Sequence, residues 1–132
     1  MARRACATAS LSSASAGAGS PPLAPDDGPI DIDHLKRMTL DDAGLEREVL
    51  AMFSAQAASL IVMLEAMPED AGALAHTLKG SARAIGAFGV ADAAEALEVL
   101  IRRSDDPAEV LAELGDAVAR ARSAIDAILR RS

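Results

Sequence analysis

The chain has 132 residues, of which 51% are hydrophobic, but it contains only two Phe and neither Trp nor Tyr. This length fits one domain with an appendage, and an alanine-rich core without aromatic bulk favours helices over sheets. A formal net charge of −7 opposes binding to nucleic acid or to an anionic membrane. We find no apolar run approaching the roughly 18 residues of a transmembrane helix, and no convincing signal peptide. We therefore expect a cytoplasmic protein.

Residues 1–29 form a segment rich in Ala, Ser, Gly and Pro. Such a composition cannot bury enough apolar surface to offset the entropy of ordering, so we predict a disordered tail. The one cysteine, Cys6, lies in this tail and cannot form an intrachain disulfide, which fits a reducing compartment. The predicted organisation is a tail over residues 1–29 and one helical domain over residues 30–132.

From Ile30 onward the apolar residues recur at helical spacing. We predict a short helix at about residues 31–37 and longer ones at about 41–66, 68–86, 90–103 and 107–131, with Pro68 and Pro107 in the first turns of the third and fifth. The predicted core face of the second helix comprises Leu45, Val49, Met52, Phe53, Leu60, Met63 and Met67. Short connections favour an all-α fold, an antiparallel four-helix bundle with a short additional N-terminal helix.

The third predicted helix carries the candidate functional residue, His76. At about 100° per residue, His76 projects away from the core stripe and should point into solvent. Lys79 and Arg83 project from the same face as His76. The predicted core stripe comprises Leu74, Leu78, Ser81 and Ile85.

This arrangement suits phosphoryl transfer, because a neutral imidazole is a competent nucleophile near neutral pH. The two cations disfavour the imidazolium form and can contact phosphoryl oxygens. Gly80 costs about 1 kcal/mol relative to alanine inside a helix, and clearance for a partner would explain its presence. The alternatives are ordinary: a lone exposed histidine is usually only solvated, and Gly80 can instead permit close helix packing. The second histidine, His34, has no matching motif and is expected to be solvated, and no metal site is apparent.

The ordered run from Ala75 to Ala82, AHTLKGSA, continues with Ile85-Gly86-Ala87. It resembles the signature of histidine-phosphotransfer (HPt) domains, which is His, any residue, an aliphatic, Lys, Gly, two small residues and a later aliphatic-Gly pair. The similarity extends over roughly residues 30–131, because HPt domains are also a short helix followed by a four-helix bundle.

The resemblance implies a role for each matching residue. His76 matches the phosphoacceptor, Lys79 the cation that neutralises the phosphoryl oxygens, and Gly80 the clearance position beside the imidazole. Glu98 matches a position where some members place Gln or Glu to hydrogen-bond the imidazole; the alternative is a solvated helix acid. Arg83 is not a fixed position of the family, so its role depends on the helical projection alone.

The resemblance also implies a phosphorelay intermediate that exchanges a phosphoryl group with aspartates of response-regulator receiver domains and works with a hybrid histidine kinase. Such a phosphocarrier has no ATP-dependent kinase activity and binds no cofactor, and Mg²⁺ is expected on the receiver. We expect a monomer. The predicted docking patch, formed by the first three helices, comprises Leu35, Met38, Leu50 and Ile61; the alternative is that each of them is an ordinary core residue.

Two other functions fit an exposed histidine on a helix. A histidine-kinase dimerisation region usually places an acid directly after the histidine and a proline soon after it, whereas here Thr77 follows and the next proline is Pro107. The second alternative is a helical adaptor that binds a kinase or receiver domain without being phosphorylated. Only a phosphorylation experiment separates the adaptor from the carrier.

Overall fold

The computed structural model describes residues 28–131, and within them it contains five α-helices and no strand. The elements are α1 (Ile32–Met38), α2 (Ala43–Glu65), α3 (Ala71–Ile85), α4 (Phe88–Arg102) and α5 (Ala108–Arg131). The predicted all-α class and the short helix before four longer ones are confirmed. The predicted tail lies outside the described residues except for its last two.

The four long helices enclose one apolar core. Helix α3 packs against α2 and α4, α5 packs against α2 and α4, and α1 packs against α3. Alanine supplies many of the buried positions, so the helices approach one another closely at small side chains. The largest fully buried side chains are Leu35, Leu50, Leu64, Leu78, Leu97, Leu114, Ile125 and Val90.

Helix α1 is attached to the turn between α3 and α4. The backbone N–H of Asp31 donates to the carbonyl of Gly86 at 2.9 Å. Gly86 has a φ of +86°, and a Cβ there would lie 2.7 Å from the Asp31 carbonyl oxygen, so only glycine fits. The ring of His34 packs edge-on against Phe88 with 5.1 Å between ring centroids. His34 is half-buried, so the expectation that it is solvated is wrong.

The buried stripe of α2 differs from the predicted one. The buried residues are Leu50, Phe53, Ser54, Ala57, Leu60 and Leu64. Leu45, Met52 and Met63 are exposed, as is Met67 beyond the helix. Because residues 49–64 carry no charge, the apolar pattern continues almost around the helix and does not specify one face. Packing selects the side with Ser54 and Ala57, where neighbouring helices can approach closely.

Helix α3 begins three residues later than predicted. Pro68 belongs to a preceding turn, in which its carbonyl accepts from the N–H of Ala71 at 3.0 Å. The buried stripe is also rotated from the predicted one: it comprises Ala71, Ala75, Leu78, Ala82 and Ile85. Leu74 and Ser81 are only half-buried. The rotation brings the small alanines into the core and leaves His76 on the surface.

Helix α2 has, among the described helices, the length and apolar composition that crossing a membrane would require. The sequence-based statement that no apolar run comes near this length is therefore wrong. Core helices of soluble proteins meet the same criterion, and α2 packs against α3 and α5 along its buried stripe. Length and composition alone do not assign it to a membrane.

Candidate functional site

His76 lies in the middle of α3 with 68% of its side chain exposed. Its neighbours Ala75 and Leu78 are fully buried, and they fix the rotation of the helix so that residue 76 faces outward. The Nδ1 atom of the ring lies 3.1 Å from Oε2 of Glu98 on α4. One ring nitrogen therefore contacts the protein, and the rest of the ring is open to solvent.

Glu98 joins His76 to two cations. Its side chain is only 15% exposed, because Leu97 beside it lies in the core and draws this turn of α4 against α3. Its Oε1 atom lies 2.9 Å from Nζ of Lys79, and its Oε2 atom lies 3.7 Å from a guanidinium nitrogen of Arg102. The alternative of a freely solvated acid does not describe this residue. We call Glu98, His76, Lys79 and Arg102 the Glu98 cluster.

The charge of Glu98 follows from these contacts. The Lys79 ammonium, and less strongly the His76 ring, hold the pKa of Glu98 below its ordinary value, although partial burial acts in the opposite direction. The carboxylate is therefore ionised at neutral pH, and an ionised carboxylate can only accept hydrogen bonds. A neutral His76 ring must then carry its proton on Nδ1, which leaves the Nε2 lone pair free to attack.

Gly80 lies one turn after His76 in a region of open space. A Cβ atom built at this residue would meet no other atom of the described chain within 4 Å. The alternative that Gly80 permits close helix packing therefore fails for contacts within residues 28–131. Glycine weakens a helix, so its presence at this position needs a physical reason. The remaining reason is clearance above the helix surface.

Arg83 lies outside the Glu98 cluster. Its guanidinium is paired with the carboxylate of Glu95 on α4 at 2.8 Å, and both side chains are about half exposed. Its predicted contact with a phosphoryl group on His76 stays a prediction. Arg102, in contrast, was not predicted. The signal that could have identified it is its position four residues after Glu98, a spacing at which helical side chains of opposite charge meet.

An apolar groove lies on the other side of α3, between α2 and α3. One cavity of about 290 Å³ is lined by Val49, Met52, Phe53, Gln56, Ser81, Ala84 and Ile85. A second cavity of about 170 Å³ continues toward α1 and is lined by Leu35, Met38, Thr39, Leu45, Val49, Ala84 and Ile85. We call these two cavities together the α2–α3 groove. Its α3 wall, at Ser81 and Ala84, is one to two turns beyond His76.

The predicted docking patch is only partly at the surface. Leu35 and Leu50 are fully buried, so the structure contradicts their assignment to a docking surface. Ile61 is half-buried and lines a different cavity, with residues of α5. Met38 is exposed and lines the α2–α3 groove. Met52, which had been assigned to the core, is 65% exposed and is the most accessible large apolar side chain in the groove.

Comparison with known proteins identifies the family. The family model of the Hpt domain matches residues 48–124, more than half of the chain. The fold is similar to a histidine-containing phosphotransfer protein from rice, with a TM-score of 0.70, 21% sequence identity, and coverage of 79% of this chain and 81% of that one. It is also similar to the histidine phosphotransferase ShpA from Caulobacter crescentus, with a TM-score of 0.64, 28% identity, and coverage of 79% and 93%. Comparison with curated proteins gives no match.

The chain belongs to the Hpt domain family, as its motif indicated. Members of this family act in phosphorelays with receiver domains and histidine kinases.

Proposed function

We propose that this protein is a phosphorelay intermediate that carries a phosphoryl group on Nε2 of His76. The observation that supports this most strongly is the pairing of an exposed imidazole with an ionised carboxylate at its Nδ1 atom. This pairing orients the ring and directs the nucleophilic lone pair outward. The membership of the Hpt family supports the same function.

The proposed reaction is an in-line exchange with a receiver aspartyl phosphate. The Nε2 lone pair forms a bond to phosphorus while the P–O bond to the aspartate breaks, and the carboxylate leaves with the bonding electrons. Mg²⁺ is expected on the receiver, where it would neutralise the phosphoryl oxygens. Lys79 provides a cation on this side of the exchange, three residues from the nucleophile. The step needs no ATP.

The α2–α3 groove is the proposed docking surface for the receiver domain. Of the sequence-based patch it keeps Met38 as an exposed residue, whereas Leu35 and Leu50 are buried. Met38, Leu45 and Met52 are exposed apolar residues at the groove, and adaptable methionine side chains suit a surface that meets more than one partner. A hybrid histidine kinase that presents a receiver domain would dock in the same way. We further propose that the protein acts as a cytoplasmic monomer.

Incubation with a receiver domain that carries a radiolabelled aspartyl phosphate tests this function. The wild type should acquire an acid-labile label, and His76→Gln should acquire none. His34→Gln is the matched control, because it removes the other histidine and should leave labelling intact. Failure of the wild type to acquire label, while it still binds the receiver, would instead indicate an adaptor. Light scattering tests the monomer, and a stable dimer would contradict it.

A further inference from the structure

In the Glu98 cluster, the two oxygens of the Glu98 carboxylate contact different partners. Oε1 is neutralised by Lys79 at 2.9 Å, whereas Oε2 faces the His76 ring at 3.1 Å. Two further ion pairs lie at this side of α3: Arg102 is 3.7 Å from Oε2 of Glu98, and Arg83 is paired with Glu95 at 2.8 Å. The ring therefore contacts a fixed anion at Nδ1, and that anion is held ionised by its lysine partner.

The protonation of Nδ1 matters most after phosphoryl transfer. When Nε2 bonds to phosphorus and Nδ1 keeps its proton, the ring is a phosphorylated imidazolium, and its positive charge is stabilised by a carboxylate in contact. In onward transfer a carboxylate oxygen of a receiver aspartate bonds to phosphorus, and in hydrolysis a water oxygen does so; the N–P bond breaks, its electron pair returns to Nε2, and a neutral imidazole leaves. If Nδ1 had lost its proton to solvent, the leaving group would be an imidazolate anion, which leaves poorly.

We infer that Glu98 keeps the Nδ1 proton on the His76 ring while that ring carries the phosphoryl group, so that the carrier favours rapid onward transfer over storage. This inference rests on the proposed function. An ionised carboxylate can accept the Nδ1 proton in a hydrogen bond but cannot donate one to a bare Nδ1. A glutamine at the same position can do both, because its amide carries an acceptor oxygen and a donor nitrogen, and it would therefore also stabilise the deprotonated, longer-lived phosphohistidine.

The pH dependence of phosphohistidine hydrolysis tests this role of Glu98. Both wild type and Glu98→Gln are labelled from the phosphorylated receiver, separated from it and followed for loss of label between pH 5 and pH 10. Loss of label should slow as pH rises in each protein, since the ring loses its Nδ1 proton. A charge-assisted hydrogen bond is about twice as strong as a neutral one, so the midpoint should lie roughly one pH unit lower in Glu98→Gln. Near the midpoint, the variant should hold its label several-fold longer.

Glu95→Gln provides the matched control. It removes one negative charge from the same helix, at a residue that pairs with Arg83 and not with His76, and its profile should coincide with that of the wild type. Coincident profiles for wild type and Glu98→Gln would overturn the inference while leaving the proposed function intact. An equal shift in Glu95→Gln would also overturn it, because the effect would then be one of net charge. A wild type that acquires no label would contradict the proposed function itself.

A spectroscopic measurement keeps the inference testable if Glu98→Gln accepts label poorly. The ¹⁵N chemical shift of Nδ1 in the phosphorylated wild type distinguishes a protonated nitrogen from a bare one. We expect Nδ1 to stay protonated to a higher pH in the phosphorylated wild type than in free Nε2-phosphohistidine measured under the same conditions. Loss of the Nδ1 proton over the same pH range in both would overturn the inference.

Discussion

The two sides of α3 differ in chemistry and in how completely the chain's own residues pair or cover the groups exposed there. On the side facing α4, His76 and Lys79 both contact Glu98, so each of these three side chains has a partner within the described chain. On the side facing α2, the groove is apolar, and Met52 remains 65% exposed. The first side is organised in advance for a reaction, whereas the second is left for a partner to cover.

The largest expected effect is on stability, and it distinguishes a buried residue of α2 from an exposed one. Leu50→Ala should lower the free energy of unfolding by about 2–5 kcal/mol, because Leu50 is fully buried and its loss leaves a cavity. Met52→Ala, at an exposed position, should change it by less than about 0.5 kcal/mol. Urea denaturation followed by circular dichroism measures both. A stable Leu50→Ala protein would show that the core face of α2 is misplaced.

Removal of the cation beside the nucleophile should have the next largest effect. Lys79→Ala should slow phosphoryl transfer from a receiver on the order of 100-fold, because the charge that develops at the phosphoryl oxygens loses a fixed partner. Quenched time courses with labelled receiver measure the rate. Arg83→Ala should slow transfer less, since Arg83 is paired with Glu95 outside the cluster. Equal losses in the two variants would mean that the cations act only through long-range charge.

A charge placed in the α2–α3 groove should weaken receiver binding without altering the reactive ring. Met52→Glu should raise the dissociation constant roughly tenfold, about 1.4 kcal/mol, since an apolar contact is replaced by a charge that must be desolvated. Val62→Glu is the matched control: Val62 is on the same helix and is 66% exposed, but it lines neither cavity of the groove. Isothermal titration calorimetry measures both constants. Unchanged binding by Met52→Glu would place the docking surface elsewhere.

The smallest expected effect concerns Gly80. Gly80→Ala should raise the free energy of unfolding by about 1 kcal/mol, because alanine favours the helix and its Cβ meets open space. Gly80→Leu should be similarly stable but should transfer phosphate more slowly, since the longer side chain occupies space that the receiver needs. Thermal denaturation and transfer rates together test this. A destabilised Gly80→Ala protein would contradict the open space described around residue 80.

Much of the α3–α4 side could be predicted from the sequence, because most of its residues lie on α3, whose apolar residues recur with a clear helical period. The outward direction of His76 followed from that period even though the core stripe was rotated. The position of Glu98 came from resemblance to the family, and the contact itself depends on how closely α4 packs against α3. Arg102 was missed although its spacing from Glu98 was visible.

The α2 side was harder to predict for a physical reason. Residues 49–64 are uncharged, so several faces of the helix are apolar, and only packing against α3 and α5 decides which one is buried. Leu50 was consequently assigned to the surface and Met52 to the core, each the reverse of what the structure shows. The absence of a single apolar face on α2 also explains why the predicted docking patch was partly wrong.

The atom of His76 that carries the phosphoryl group can be identified by spectroscopy. The wild type, labelled by a phosphorylated receiver, can be studied by ³¹P NMR combined with ¹⁵N-labelled histidine, which distinguishes phosphorus on Nε2 from phosphorus on Nδ1. Because Glu98 occupies Nδ1, a single species phosphorylated at Nε2 of His76 is predicted. Phosphorus on Nδ1, on His34 or on any other residue would contradict the account.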